Sequence, residues 1–180
     1  MTRAGRGRDR RATLAFARRR RREAGGSVEG DMGRISVTES IKAPVSTVFG
    51  YVDDYRNTTK YMKDLTKWEP VGSKTHGKGS RFSLAMKAGP LNIDGEVEID
   101  TWVENRAIGW TTKKGFRQDG SWSFTETGNG TEATFTVEYD LPGGIAGKMM
   151  AKAVEPVLKG TLETSVRQLK AQTERAAKGG

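Results

Sequence analysis

The sequence predicts an α+β domain in which a strongly curved antiparallel sheet of about six or seven strands wraps around one long C-terminal helix. Three observations predict this arrangement. A strand pattern near the start is followed by two short helical patterns, alternating apolar segments fill residues 67–139, and the last apolar pattern is helical. Because this terminal helix is the only element long enough to cover one face of the sheet, we expect it to close the core over an internal cavity.

The first strand and the two short helices are predicted from residue spacing. Apolar residues alternate over 35–41, which indicates a half-buried strand. A helix is expected over about 44–52, because its opening proline suits a first turn and apolar residues follow every three or four positions. Asp53 or Asp54 can cap a second short helix that reaches about Met62.

Residues 67–139 show repeated alternation of apolar and polar residues, which indicates five or six antiparallel strands. The predicted turns lie at Gly89-Pro90, Asn105-Arg106 and Gly128-Asn129-Gly130. Along residues 91–100, four acidic side chains share the face opposite the apolar one. Each strand therefore offers one face to a core and the other to water.

The last element is an amphipathic helix that begins after Pro142-Gly143-Gly144. Apolar or small residues recur every three or four positions from Met150 to Leu169, and the polar end of the chain is expected to fray. Pro156 lies inside this pattern. Because proline lacks an N–H group and clashes with the preceding turn, a kink or break is expected near residues 152–156.

The net charge of +9 is unevenly distributed along the 180 residues. Residues 1–31 hold ten of the 31 basic residues and four of the 22 acidic ones, which gives this segment a charge of +6. Residues 32–180 hold the other 21 basic and 18 acidic residues, which gives them a charge of +3. We expect residues 1–31 to be a disordered basic tail and residues 32–180 to be a single domain. The interpretation we favour is a misassigned start, with translation beginning at Met32. The alternative is an arginine-rich arm that binds phosphate groups.

The composition excludes several kinds of site. The chain has no cysteine, so disulfides, thiolate metal sites and a cysteine nucleophile are excluded. Its single histidine, His76, rules out a two-histidine metal site within one chain, and no nucleophile-elbow motif is present. We expect no metal and no cofactor. The sequence shows no secretory signal and no run of 18 apolar residues, which favours a cytoplasmic protein.

A family resemblance rests on the segment Ile41-Lys42-Ala43-Pro44-Val45-Ser46-Thr47-Val48-Phe49. This segment resembles the I-x-A-P-x-x-x-V-F/W motif of the START-like, or SRPBCC, superfamily. Residues 52–62, 68–71 and 169–174 are similar to that family's second helix, second strand and closing helix, so the resemblance covers about residues 33–175. It is strongest to the polyketide cyclase/dehydrase-like subgroup. Tyr61 departs from the usual tryptophan.

The resemblance implies a Bet v 1-like helix-grip fold with an internal pocket for lipids, polyketides, sterols or other apolar compounds. Inward-facing strand residues and the near face of the terminal helix would line the pocket. The candidate ligand-binding residues are Phe82, Leu84, Met86, Val97, Trp110, Trp122, Phe135, Val137, Met150, Val154 and Leu158. Taken singly, each of these side chains is better explained by core packing.

Polar candidates are few. Glu39 occupies an apolar position of the first strand, where an unpaired carboxylate would be costly, although we favour a position at the rim near solvent. Arg81 could hold an acidic head group, although its position in the alternation favours the surface. Tyr139 could donate one hydrogen bond, and His76 falls in a glycine-rich turn expected at the rim.

Three function classes follow. The first is a non-catalytic carrier or sensor of an apolar small molecule. The second is a polyketide cyclase or dehydratase that acts mainly by folding its substrate, with Glu39, Arg81 or Tyr139 as candidate catalytic groups. The third is an interaction protein that uses the basic tail on RNA or on an anionic membrane. The modest charge of the domain argues against nucleic acid as its partner, and the sequence leaves peripheral membrane contact and oligomeric state open.

Overall fold

Seven strands and three α-helices make up the fold in a computed structural model that describes residues 33–88, 91–140 and 144–179. The side chains of residues 88, 91 and 144–151 are outside this description, as are residues 1–32 and the predicted turn at Gly89-Pro90. The elements are β1 (Gly33–Ile41), α1 (Val45–Asp53), a 3-10 turn (Tyr55–Asn57), α2 (Thr58–Tyr61), β2 (Leu65–Pro70), β3 (Arg81–Ala88), β4 (Leu91–Val103), β5 (Ala107–Gly115), β6 (Gln118–Thr127), β7 (Gly130–Tyr139) and α3 (Gly144–Lys178).

All seven strands form one antiparallel sheet in the order β1-β7-β6-β5-β4-β3-β2. The sheet curls into a half-barrel around α3, while α1 and α2 carry the chain from one edge strand to the other. This confirms the predicted helix-grip fold, with six strands after α2. Register shifts within β4 and β5 support the curl, because a bulge bends a strand and increases its twist.

Helix α3 differs from the expectation in one respect. It runs without interruption from Gly144 to Lys178 and contains Pro156, so the predicted break near residues 152–156 is wrong. Pro156 lies on the exposed side of the helix, between the buried Val154 and Leu158. Water can therefore satisfy the carbonyl of Lys152, which has lost its helical N–H partner.

The second short helix is divided into the 3-10 turn and the single turn of α2. Asp54 caps the 3-10 turn, since its carboxylate accepts a hydrogen bond from the backbone N–H of Arg56 at 3.0 Å. This contact confirms one of the two predicted caps. It also directs the chain so that Tyr61 enters the core with only 2% of its surface exposed.

Aromatic side chains form the centre of the core on the concave face of the sheet. Trp122 of β6 and Phe135 of β7 stack with ring centroids 4.4 Å apart, and both are about 1% exposed. Tyr61 meets Trp122 edge to face at 6.0 Å, and Phe49 of α1 meets Phe124 in the same way at 5.7 Å. The short helices are thus fixed to the sheet by ring contacts as well as by burial.

Polar contacts attach the C-terminal half of α3 to the rest of the fold. Lys170 donates to Glu39 of β1 at 2.7 Å, and Glu174 accepts from the backbone N–H of Lys42 at 2.9 Å. Closer to the middle of the helix, Ser165 accepts from the backbone N–H of Lys63 at 2.8 Å. None of the described helices is long and apolar enough to cross a membrane.

The pair between Glu39 and Lys170 is expected to contribute to stability. Glu39→Gln should lower the free energy of unfolding by up to about 1 kcal/mol, because both side chains are only about a third exposed. Glu138→Gln is the matched control, since it breaks the more exposed pair between Arg34 and Glu138 and should have almost no effect. Urea unfolding of both variants measures the difference, and equal losses would contradict it.

Alkaline pH should destabilise the fold through its buried phenols. Burial raises the pKa of Tyr61 and of Tyr139 above the ordinary value of 10.0. The folded state therefore favours the neutral phenols, so their contribution is complete below pH 10 and is lost as pH rises above it. Phenolate absorbance followed together with circular dichroism should show these groups ionising only as the chain unfolds. Complete ionisation of all four tyrosines in a native spectrum would refute this expectation.

Candidate functional site

Two neighbouring cavities lie between the curled sheet and the helices. The first, which we call the mouth cavity, lies beside α1, α2 and the loop between β2 and β3. The centres of water molecules can occupy a volume of about 50 Å³ within it. This volume has room for a few waters. Its lining residues are Val52, Asp53, Tyr55, Thr58, Tyr61, Met62, Trp68, Thr75, His76, Gly77, Ser80, Phe82, Ile99, Trp102, Ile108, Trp110 and Trp122.

The second cavity, which we call the helix cavity, lies between α3 and the concave face of the sheet. It offers a similar volume of about 50 Å³, and its walls are almost entirely apolar. Its lining residues are Met62, Leu65, Trp68, Leu84, Met86, Ile93, Trp110, Phe116, Gln118, Phe135, Val137, Tyr139, Leu158, Thr161, Leu162 and Ser165. Among the described residues, no lysine or arginine lines either cavity.

Three side chains separate the cavities, because Met62, Trp68 and Trp110 line both of them. We call these three residues the partition. Trp68 of β2 and Trp110 of β5 meet edge to face at 6.3 Å, while Met62 follows α2 and is partly buried. Methionine is unbranched and adapts its shape readily, so the partition combines two rigid rings with one adaptable side chain.

Trp110 carries the one buried side-chain polar atom that has no hydrogen-bond partner among the described residues. That atom is Nε1, and the residue as a whole is 6% exposed. An unpaired buried donor costs about 1–3 kcal/mol, and native proteins keep few of them. The indole lies against Gly120 of β6, where an added Cβ would stand 2.2 Å from the ring.

The rim of the mouth cavity is held by Asp53 at the end of α1. One carboxylate oxygen accepts a hydrogen bond from Trp102 Nε1 at 2.7 Å, and the other lies 2.9 Å from His76 Nδ1. The rings of His76 and Trp102 also meet edge to face at 5.1 Å. Because the His76 side chain is 64% exposed, this cluster places one edge of the mouth cavity at the protein surface.

Eight of the predicted ligand-binding residues line a cavity, and their role in binding stays a prediction. The mouth cavity contains Phe82 and Trp122, the helix cavity contains Leu84, Met86, Phe135, Val137 and Leu158, and Trp110 belongs to both. Val97 and Val154 are buried but line neither cavity. The side chain of Met150 lies outside the described part of the chain.

The polar candidates occupy three different environments. Glu39 is paired with Lys170 and holds α3 to β1, and Arg81 lies 3.8 Å from Glu96 with 45% of its side chain exposed. Neither residue lines a cavity. Tyr139 does line the helix cavity, where burial raises the pKa of its phenol, so the group stays protonated at neutral pH.

Several lining residues are not predicted by alternation along the strands. Ile99 and Trp102 of β4 both line the mouth cavity although they are three residues apart. The register shift between Ile99 and Thr101 explains this, because a bulge moves the following side chains to the other face. Asp53 is predicted only as a helix cap, and nothing in the sequence pairs it with His76.

The described residues contain no group of three or more His, Asp or Glu side chains that could hold a metal ion. The described lining of the cavities therefore offers apolar contact, a few hydroxyl and amide groups, and the pair between His76 and Asp53 at the rim. This set suits recognition of a mainly hydrocarbon molecule.

Solved structures share this architecture. TTHA0849 from Thermus thermophilus is 22% identical, with a TM-score of 0.70 over 81% of this chain and 99% of its own. The Zhui aromatase/cyclase from Streptomyces sp. R1128 is 15% identical, with a TM-score of 0.67 over 80% and 94%. A START superfamily protein from Mycobacterium smegmatis is 16% identical, with a TM-score of 0.63 over 81% and 98%. At these identities the likeness concerns the fold.

The sequence comparisons are more specific about the family. No curated protein matches the chain. One family model, described as "Polyketide cyclase / dehydrase and lipid transport", matches residues 32–174, which include every described strand and nearly all of α3. The chain therefore belongs to the polyketide cyclase/dehydrase and lipid transport family.

Proposed function

We propose that this protein binds an uncharged apolar small molecule in the space between its curled sheet and α3. The observation that carries the proposal is the helix cavity, which has apolar walls although it lies in the middle of a packed core. Family membership supports the same function, because the family description combines lipid transport with polyketide chemistry. Protein interiors normally fill such space with side chains, so an apolar cavity here favours a ligand.

The volume of each cavity sets a condition on this proposal. About 50 Å³ accommodates a few water molecules, whereas a lipid or a polyketide needs considerably more room. Movement of Met62 would join the two cavities through the partition and leave the rings of Trp68 and Trp110 as walls. The binding site we propose is this joined space, which a ligand enters past the rim formed by Asp53, His76 and Trp102.

A bulky residue on the cavity side of α3 should abolish binding. Leu158→Trp places an indole in the helix cavity and should eliminate the fluorescence increase of the uncharged dye Nile red. Val157→Trp is the matched control, because Val157 is the next residue but is 41% exposed on the outer side of the helix. This variant should bind like the wild type.

Thermal unfolding of both variants separates blocked binding from loss of the fold, since overpacking a core costs about 1–3 kcal/mol. Equal dye binding by folded Leu158→Trp and Val157→Trp would count against the proposal. Salt-sensitive RNA binding that depends on residues 1–31 would instead favour an interaction protein that uses its basic tail on RNA.

A second candidate function is a cyclase or dehydratase reaction, and the pair between His76 and Asp53 favours it. Asp53 Oδ2 lies 2.9 Å from His76 Nδ1, and a carboxylate in that position can orient an imidazole so that its Nε2 accepts a proton as a general base. The pair lines the mouth cavity, where a carbonyl compound bound in the joined space would present its acidic C–H groups. Removal of such a proton begins an aldol-type ring closure.

Proton exchange tests this second candidate. The wild type in deuterium oxide should accelerate incorporation of deuterium next to the carbonyl group of α-tetralone, and His76→Gln should return the rate to that of buffer. Asp53→Asn should reduce the rate by about 10-fold or more, because the imidazole loses its orienting partner. Mass spectrometry of the ketone gives the rate. A wild-type rate equal to that of buffer would leave binding as the function.

A further inference from the structure

The partition contains a hydrogen-bond donor that the described part of the protein does not use. Trp110 is more than nine-tenths buried, lines both cavities and has no acceptor for its Nε1 hydrogen. The other buried indole of the sheet, Trp122, does not share this property, since no unpaired atom is found on it. The unused donor therefore belongs to a residue that lines both cavities.

The surroundings of Trp110 hold its ring in this position. Gly120 is its cross-strand partner, and the indole packs so closely against it that a Cβ there would stand 2.2 Å from the ring. Phe135 and Trp68 lie at centroid distances of 6.0 and 6.3 Å. The ring is thus packed by a backbone and two aromatic neighbours, and none of them accepts a hydrogen bond from Nε1.

Two hydroxyl groups of the helix cavity are already engaged. Ser165 donates to the carbonyl of Thr161 at 2.8 Å and accepts from the N–H of Lys63, while Thr161 donates to Asp64 at 3.3 Å. These groups contribute to the attachment of α3, so a ligand that took their hydrogen bonds would weaken that attachment. The N–H group of Trp110 can be used by a ligand without such a loss.

Charge narrows the class of ligand further. Among the described side chains, no lysine or arginine lines either cavity, so a carboxylate or phosphate inside them would meet neither of these cations there. Burying an unpaired anion is far more costly than burying a carbonyl group with one hydrogen bond. An uncharged acceptor oxygen therefore suits the described lining better than an anionic head group does.

We propose that the ligand is an uncharged, mainly hydrocarbon molecule with an internal acceptor oxygen, such as a ketone, and that this oxygen accepts a hydrogen bond from Trp110 Nε1. The apolar parts on either side of the oxygen occupy the mouth cavity and the helix cavity. This inference rests on the proposed binding function and adds the position and chemistry of one polar contact.

A matched pair of ligands tests the contact. α-Tetralone and tetralin have the same fused rings and differ by one carbonyl oxygen. Trp110→Phe removes the N–H group and keeps an aromatic ring. The variant should weaken α-tetralone binding by about 5- to 10-fold more than tetralin binding, which is the usual effect of one neutral hydrogen bond. Displacement of Nile red from the wild type and from the variant gives the four affinities.

Nuclear magnetic resonance of the wild type supplies a readout that does not depend on the variant's folding. The side-chain N–H resonance of Trp110 should move downfield with α-tetralone and much less with tetralin. The chain has four tryptophans, and the resonance missing from the Trp110→Phe spectrum identifies the relevant one.

The outcomes distinguish the inference from the function on which it rests. If neither compound binds to the wild type, the proposed function fails for compounds of this size and the inference fails with it. If both bind and the variant weakens them equally, the binding function stands and the inference is overturned. An unmoved Trp110 resonance with both compounds bound would also overturn it, and would favour an N–H contact to the ring of Trp68.

Discussion

Attachment of the C-terminal half of α3 to the sheet, by buried apolar side chains such as Val166 and Leu169 and by polar contacts, is the constraint on which the rest of the structure depends. The concave face of the sheet carries large aromatic side chains that must be kept from water, and α3 is the element that covers them. Contacts to Glu39, Lys42 and Lys63 fix the height of this half of the helix above the sheet. Farther towards the N-terminus, Leu158 forms part of the cavity wall. These contacts hold α3 over the sheet without a side chain having to fill the helix cavity. The protein can therefore keep an apolar space inside its core.

The sequence predicts the fold well because the fold depends on patterns that a sequence carries directly. Alternation predicts the strands, a three-to-four-residue period predicts α3, and the Ala43-Pro44 entry predicts α1. The uninterrupted course of α3 through Pro156 could not be predicted in this way. It depends on which side of the helix faces water, and that is a property of packing between distant segments.

The candidate site is only partly predictable, and the reason is again physical. Trp110 and Phe82 are recognised as inward-facing residues from their place in the alternation, whereas Trp102 reaches the mouth cavity only because a bulge changes the register of β4. The pair between Asp53 and His76 joins residues from α1 and a loop beyond β2. Glu39 stands out in the apolar register of β1, but its partner lies 131 residues away on α3. A lone sequence gives no signal for contacts of this kind.

The partition has a consequence for how such a protein can change over evolutionary time. Met62 stands between the two cavities, yet it belongs neither to the stacked rings of Trp122 and Phe135 nor to the contacts that attach α3. Replacement of this one side chain by a smaller or larger one would change the length of molecule that fits, while the framework stays the same. Descendants of one ancestral chain could in this way diverge in the compounds they accept without passing through an unstable intermediate.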